Sequence, residues 1–186
     1  EYTFLRDIKD TERQRYNQLI YSSVQHLPFT MANTLQMFYD KLGEEDYGKA
    51  KDHAIEFAEI SVQWMSSYML IRLIENGRII NKYHEKLFNV VNKIDNKRPL
   101  SFGDWVNDIF TPLSHAMFED LADDEFTKSL AKHLFKNKVT ILLGSKKEPS
   151  VVKIRNDYKA HATTLSSDIY RGVVYTLEPL IISLLE

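Results

Sequence analysis

The stretch YGKAKDHAIEFAEISVQWMSSYMLIRLIEN, residues 47–76, decides the fold class. Ala54, Phe57, Ala58, Val62, Met65, Met69 and Leu73 fall three or four residues from one another along the chain, with Phe57 and Ala58 adjacent, the repeat of one helix face. Ile55, Ile60, Trp64, Tyr68, Leu70 and Ile71 widen that stripe until the segment is apolar on most sides. A helix of this kind is expected at the centre of a bundle, where every side meets a neighbour. Gln63, Ser66, Ser67 and Arg72 interrupt the run from Val62 to Ile74, which stays short of the roughly 18 apolar residues that a membrane span needs. Asn76-Gly77 stops the pattern.

The same period continues on both sides. Thr11 to Ser23 reads as a first helix. Pro28 starts a second through Met31, Leu35, Phe38 and Leu42, with Gly43 as its C-cap. Ile79 to Ile94 makes a fourth helix, Asp95 to Pro99 a polar turn, and Ser101 an N-cap for a helix carrying Trp105, Ile109, Leu113 and Met117. Pro112 should kink or interrupt that helix. Asp123 and Asp124 open another that runs towards Leu143, and Gly144 to Pro149 reads as a surface loop. A short helix follows from Ser150, and Leu165 to Leu185 closes the chain, capped by Ser166 and bent at Pro179. The expectation is an all-α fold, a single antiparallel bundle of about seven or eight helices forming one domain over residues 1–186.

Composition bounds the function. Apolar residues make up 44% and charged residues 27%, which excludes extended disorder. A net charge of −2 argues against broad non-specific nucleic-acid binding, yet a local basic cluster can serve an acidic protein. There is no cysteine, so no disulfide, thiolate zinc site or cysteine nucleophile is available, and a reducing, cytoplasmic setting is expected. The first residue is Glu1 rather than Met, and the segment is expected to be excised from a longer protein. The six Gly are scattered, so no glycine-rich phosphate loop forms. Neither His-Glu-x-x-His nor Glu-x-x-His occurs, and no metal or cofactor is expected. Glu56 and Glu59 lie on the long helix and are expected to be solvated or paired with a basic residue.

One segment is different in kind. Arg155, Asn156, Asp157, Tyr158, Lys159 and His161 place a guanidinium, an amide, a carboxylate, a phenol, an ammonium and an imidazole within seven residues. On a helix Arg155 and Lys159 share a face, and Asp157 stands one turn before His161, where it can orient the imidazole. Arg155 and His161 are six apart, about 120° around an ideal helix and about 9 Å along it. A straight helix cannot focus both on one atom. A local bend, or a second copy of the segment across a two-fold axis, would.

Arg-Asn, a few residues and Ala-His just before a final helix resembles the signature of the HEPN superfamily (higher eukaryote and prokaryote nucleotide-binding). That signature is an Arg, four to six residues and a His, with a polar residue often directly after the Arg. Arg78 to His84 has the same spacing, but it lacks the Asn after Arg and the small residue before His. Leu27-Pro28-Phe29 opening a helix, the long helix with Glu56 and Glu59, and Ser101-Phe102-Gly103-Asp104-Trp105 are similar to a bacterial subset of the superfamily. Many relatives carry Gly where this chain has Ala160 and Ala162.

The resemblance implies a metal-independent endoribonuclease, built as a homodimer through the motif face and common in defence or toxin systems. In that scheme the 2′-hydroxyl of the RNA substrate attacks the adjacent phosphate. His161 transfers protons, Arg155 stabilises the transition-state charge, and Asn156 holds the Arg or the phosphate. Lys159, Asp157 and Tyr158 complete the substrate side. Two other readings stay open: a HEPN-type dimerisation or sensing module without catalysis, attached to or partnered with an effector domain, and a plain charged face that closes the bundle.

Overall fold

The computed structural model describes residues 10–75, 84–120, 150–158 and 165–185, with Ser129, Lys132, His133 and Leu142 as isolated helical positions between them. The described residues form an all-α architecture of α1 (Asp10–His26), α2 (Phe29–Gly43), α3 (Tyr47–Glu75), α4 (His84–Asp95), α5 (102–120), α6 (Val151–Tyr158) and α7 (Ser167–Leu185). The expected helix opened by Asp123 and Asp124, the Gly144 to Pro149 loop, the Asn76-Gly77 stop and the start of the fourth helix at Ile79 lie outside the described residues.

The chain divides into two compact units, Glu1–Ile60 with Lys153–Glu186, and Ser61–Val152. In the first, α1 packs on α2 and α7. Its core holds Leu35 and Phe38 from α2, Ala54, Ile55 and Phe57 from α3, and Val174, Leu177 and Ile181 from α7. The second is built from the later part of α3, α4 and α5, around Val62, Met69, Leu73, Phe110, Leu113 and Met117.

Pro28 sits at the N-cap of α2, where its missing N–H costs nothing and its φ of −50° suits a helix entry. Gly43, the expected C-cap, is instead the last helical residue. The left-handed position falls on Glu45, at φ 59°. Its N–H donates to the Leu42 carbonyl, and the Asp46 N–H reaches back to that of Lys41 at 3.0 Å. This is the Schellman closure with Glu where glycine is usual. α4 ends in the same way, with Lys97 at φ 54° and the Arg98 N–H donating to the Lys93 carbonyl.

Asp46 then starts α3, its Oδ1 accepting from the Lys49 N–H at 3.2 Å. The expectation that α3 is covered on most sides fails in its second half. Trp64 is 49%, Ile71 54% and Ile74 66% exposed.

Ser101 caps α5 as expected. Its hydroxyl accepts from the Asp104 N–H and its own N–H donates to the Asp104 carboxylate, a reciprocal capping box. Pro112 does not break the helix. A π-helical segment, Trp105–Phe110, precedes it, and the Thr111 N–H donates to the Val106 carbonyl five residues back. The widened turn absorbs the proline, which can offer no N–H to the ladder. α7 likewise runs through Pro179. Among the described residues no helix is long and apolar enough to cross a membrane.

Candidate functional site

The Arg-Asn motif begins on α6, whose Ile154 is buried and anchors the helix in the first unit. One residue on, Arg155 emerges at the surface with its side chain 26% exposed. Its Nε donates to Glu59 Oε1 on α3 at 3.0 Å, and its Nη1 approaches Asn156 Oδ1 at 3.4 Å. Glu59 is itself only 21% exposed, so the pair is shielded yet reachable. Fixing Nε fixes the plane of the guanidinium. With Nη1 turned to Asn156, Nη2 has no partner among the described residues and keeps its N–H donors for a ligand. Asn156 and Asp157 are exposed and Tyr158 is half-buried. Lys159 and His161, together with Ala160, lie outside the described residues, as does the Arg78 to His84 alternative up to its final helical residue.

Two residues that sequence reasoning passed over hold the chain at Tyr158 and at Leu165, on either side of His161 in sequence. Lys51 on α3 is 5% exposed. Its Nζ donates to the Tyr158 carbonyl at 3.0 Å, pairs with Asp52 Oδ1 at 3.0 Å, and stands 4.9 Å from the centre of the Tyr170 ring. The aromatic face attracts the ammonium, and the carbonyl accepts one of its protons. The Tyr170 hydroxyl in turn accepts from the Leu165 N–H at 3.3 Å. Lys51 therefore grips the chain at 158 and Tyr170 grips it at 165. Both flank the segment that carries His161. The signal for Lys51 was present, since it falls on the same helical face as Ala54, Ile55 and Ala58.

Glu56 is exposed and lies 3.4 Å from His53 Nδ1, and His115 Nδ1 lies 3.2 Å from Glu119. Among the described residues no group of three His, Asp or Glu side chains has metal-ligand geometry.

No family model, curated protein or solved structure matches the chain. The chemistry has to be argued from these residues themselves. An oriented, part-shielded guanidinium beside an amide is suited to binding a phosphate or another anion.

Proposed function

We propose that the chain is a metal-independent endoribonuclease of the HEPN type, active as a homodimer and serving prokaryotic defence or toxin-type RNA cleavage in the cytoplasm. The observation that supports this reading is the posture of Arg155. Glu59 and Asn156 take up its Nε and Nη1, so the guanidinium plane is set by protein partners rather than by solvent.

In the proposed reaction, the RNA 2′-hydroxyl loses its proton to His161 and its oxygen attacks the adjacent phosphorus. The bond to the 5′-oxygen breaks as that oxygen takes up the proton from the imidazolium, and the products are a 2′,3′-cyclic phosphate and a free 5′-hydroxyl. A histidine suits the proton transfer because its unperturbed pKa lies near neutrality. Arg155 stabilises the charge that builds on the non-bridging oxygens, with Asn156 holding the guanidinium or the phosphate. Lys159 adds local positive charge, and Asp157 and Tyr158 lie on the substrate side. Two motifs facing one another across a two-fold axis would bring Arg155 of one copy towards His161 of the other, which answers the angular separation of the pair.

The same contact favours a second reading. Glu59 offsets the charge of Arg155, as a brace between two helices would, and a HEPN-type dimerisation or sensing module without catalysis needs no more than that. RNA cleavage assayed with purified wild type, Arg155→Ala and His161→Ala separates the two. The enzyme reading expects cleavage by the wild type alone, whereas the module reading expects none from any of the three.

A further inference from the structure

The second unit contains a cavity of about 340 Å³ between α3, α4 and α5, remote in sequence from the Arg-Asn motif and independent of the ribonuclease reading. Its floor is apolar and closed: Val90, Ile109 and Leu113 are buried there. Its mouth is open, with Leu70 38%, Val91 49% and Ile94 55% exposed around it. A volume near the lower end of the range for small-molecule sites and a lining that is apolar with few polar groups are the usual properties of a ligand pocket.

Two further observations single it out. Ser66 lines the cavity, is 1% exposed, and its hydroxyl has no hydrogen-bond partner among the described residues. A helical serine normally relieves itself by donating to the carbonyl four residues back, as neighbouring Ser67 does to Gln63 at 2.9 Å. Ser66 leaves its hydroxyl unspent, although an unsatisfied buried hydroxyl is costly. The lining also includes Trp105, which like Ile109 lies on the π-helical segment, and such segments recur at functional sites.

We propose that this cavity binds a neutral, mostly apolar small molecule of about two fused rings, held by one hydrogen bond to Ser66. Neutrality follows from the lining, in which none of the described residues has a charged side chain. The nearby Lys93 is engaged by Asp104 and Asp108. A charged ligand would lose its hydration without a counter-charge.

The test is equilibrium dialysis of the intact chain with 2-naphthol and with naphthalene, which lacks the hydroxyl. We expect saturable binding of both at one per chain. Ser66→Ala should weaken 2-naphthol about fivefold and leave naphthalene unchanged, the size expected for one hydrogen bond. Val91→Trp and Leu70→Trp, substitutions on the exposed lips, should each abolish binding of both probes, with helical content and thermal unfolding kept as in the wild type. Absence of saturable binding, equal loss of both probes in Ser66→Ala, or retention of binding in both lip variants would overturn the proposal. So would dissociation of a dimer on adding naphthalene, which would assign the mouth to a second copy of the chain.

Discussion

Glu59 Oε1 lies 3.0 Å from Arg155 Nε, a contact between residues 96 positions apart that ties the start of the Arg-Asn motif to the long helix α3. If the guanidinium works on a phosphate, Glu59 is a positioning residue. Glu59→Ala should then reduce RNA cleavage by roughly tenfold to a hundredfold, the cost of misplacing a reacting group by about 1 Å. Stability should fall by only about 1 kcal/mol, because both partners are partly solvated. Cleavage rates set against urea unfolding midpoints separate the two effects. A loss of stability with no change in rate would make the contact a simple brace.

Lys51 and Tyr170 make a second testable pair. Lys51→Met removes the donor to the Tyr158 carbonyl and should destabilise the first unit by about 1–3 kcal/mol, since it leaves a shielded acceptor unmade. Tyr170→Phe keeps the ring beneath the ammonium and deletes only the hydroxyl that accepts from Leu165, so its cost should be about 0.5–1.5 kcal/mol. Hydrogen exchange at the Leu165 amide should accelerate in Tyr170→Phe. An unchanged rate would mean that this bond does not hold the end of the segment.

Glu45 and Lys97 occupy left-handed turn positions that favour glycine. Glu45→Gly and Lys97→Gly should each raise stability by about 0.5–1 kcal/mol, the relief at φ above zero exceeding the added freedom of the unfolded chain. Thermal unfolding reads this directly, and a drop in either variant contradicts it.

Lys93 and Asp104 link α4 to the capping box of α5. Burial works to raise the Asp104 pKa, but the hydrogen bonds from Lys93 and Ser101 outweigh it and the carboxyl lies below its ordinary value of 3.8. The hydrogen bond to Asp104, opposed in part by burial, lifts Lys93 above 10.5. The stabilisation from Asp104 is therefore present above its unfolded value and is lost as pH falls through the lowered folded value. That from Lys93 is present below 10.5 and is lost as pH rises through the raised folded value. The stability difference between wild type and Asp104→Asn should be flat from roughly pH 5 to 9 and shrink on either side. Ser101→Ala should cost about 1 kcal/mol across the same range. Unfolding midpoints measured across pH check both.

These residues show what the sequence could and could not disclose. The helix at Tyr47–Glu75 and the cap at Ser101 were legible because each depends on local spacing. The partner of Glu59 was not, because a salt bridge across 96 residues leaves no local trace. Gly43 misled for a physical reason: the turn closes two residues later, and the paired carbonyls of Lys41 and Leu42 hold Glu45 in the conformation glycine would otherwise supply. Pro112 was read as a kink or an interruption; the helical run continues through it, and the π-helical segment directly before it could not be read from the sequence. Lys51 carried a readable sign, a lysine on an apolar face, but the carbonyl it serves lies on α6. The motif from Arg155 to His161 was visible as chemistry; the support for Arg155 was visible only in three dimensions.

The most direct test of the central proposal is cleavage of a single-stranded RNA by the purified chain, in the presence of a metal chelator, with Arg155→Ala and His161→Ala alongside and the oligomeric state of each measured. The account predicts fragments ending in a 2′,3′-cyclic phosphate from a dimeric wild type, and at least a hundredfold slower cleavage by both variants, roughly the contribution of one such group. Both variants should remain dimeric. Equal cleavage by the wild type and the two variants, or no cleavage by the dimeric wild type, would contradict it.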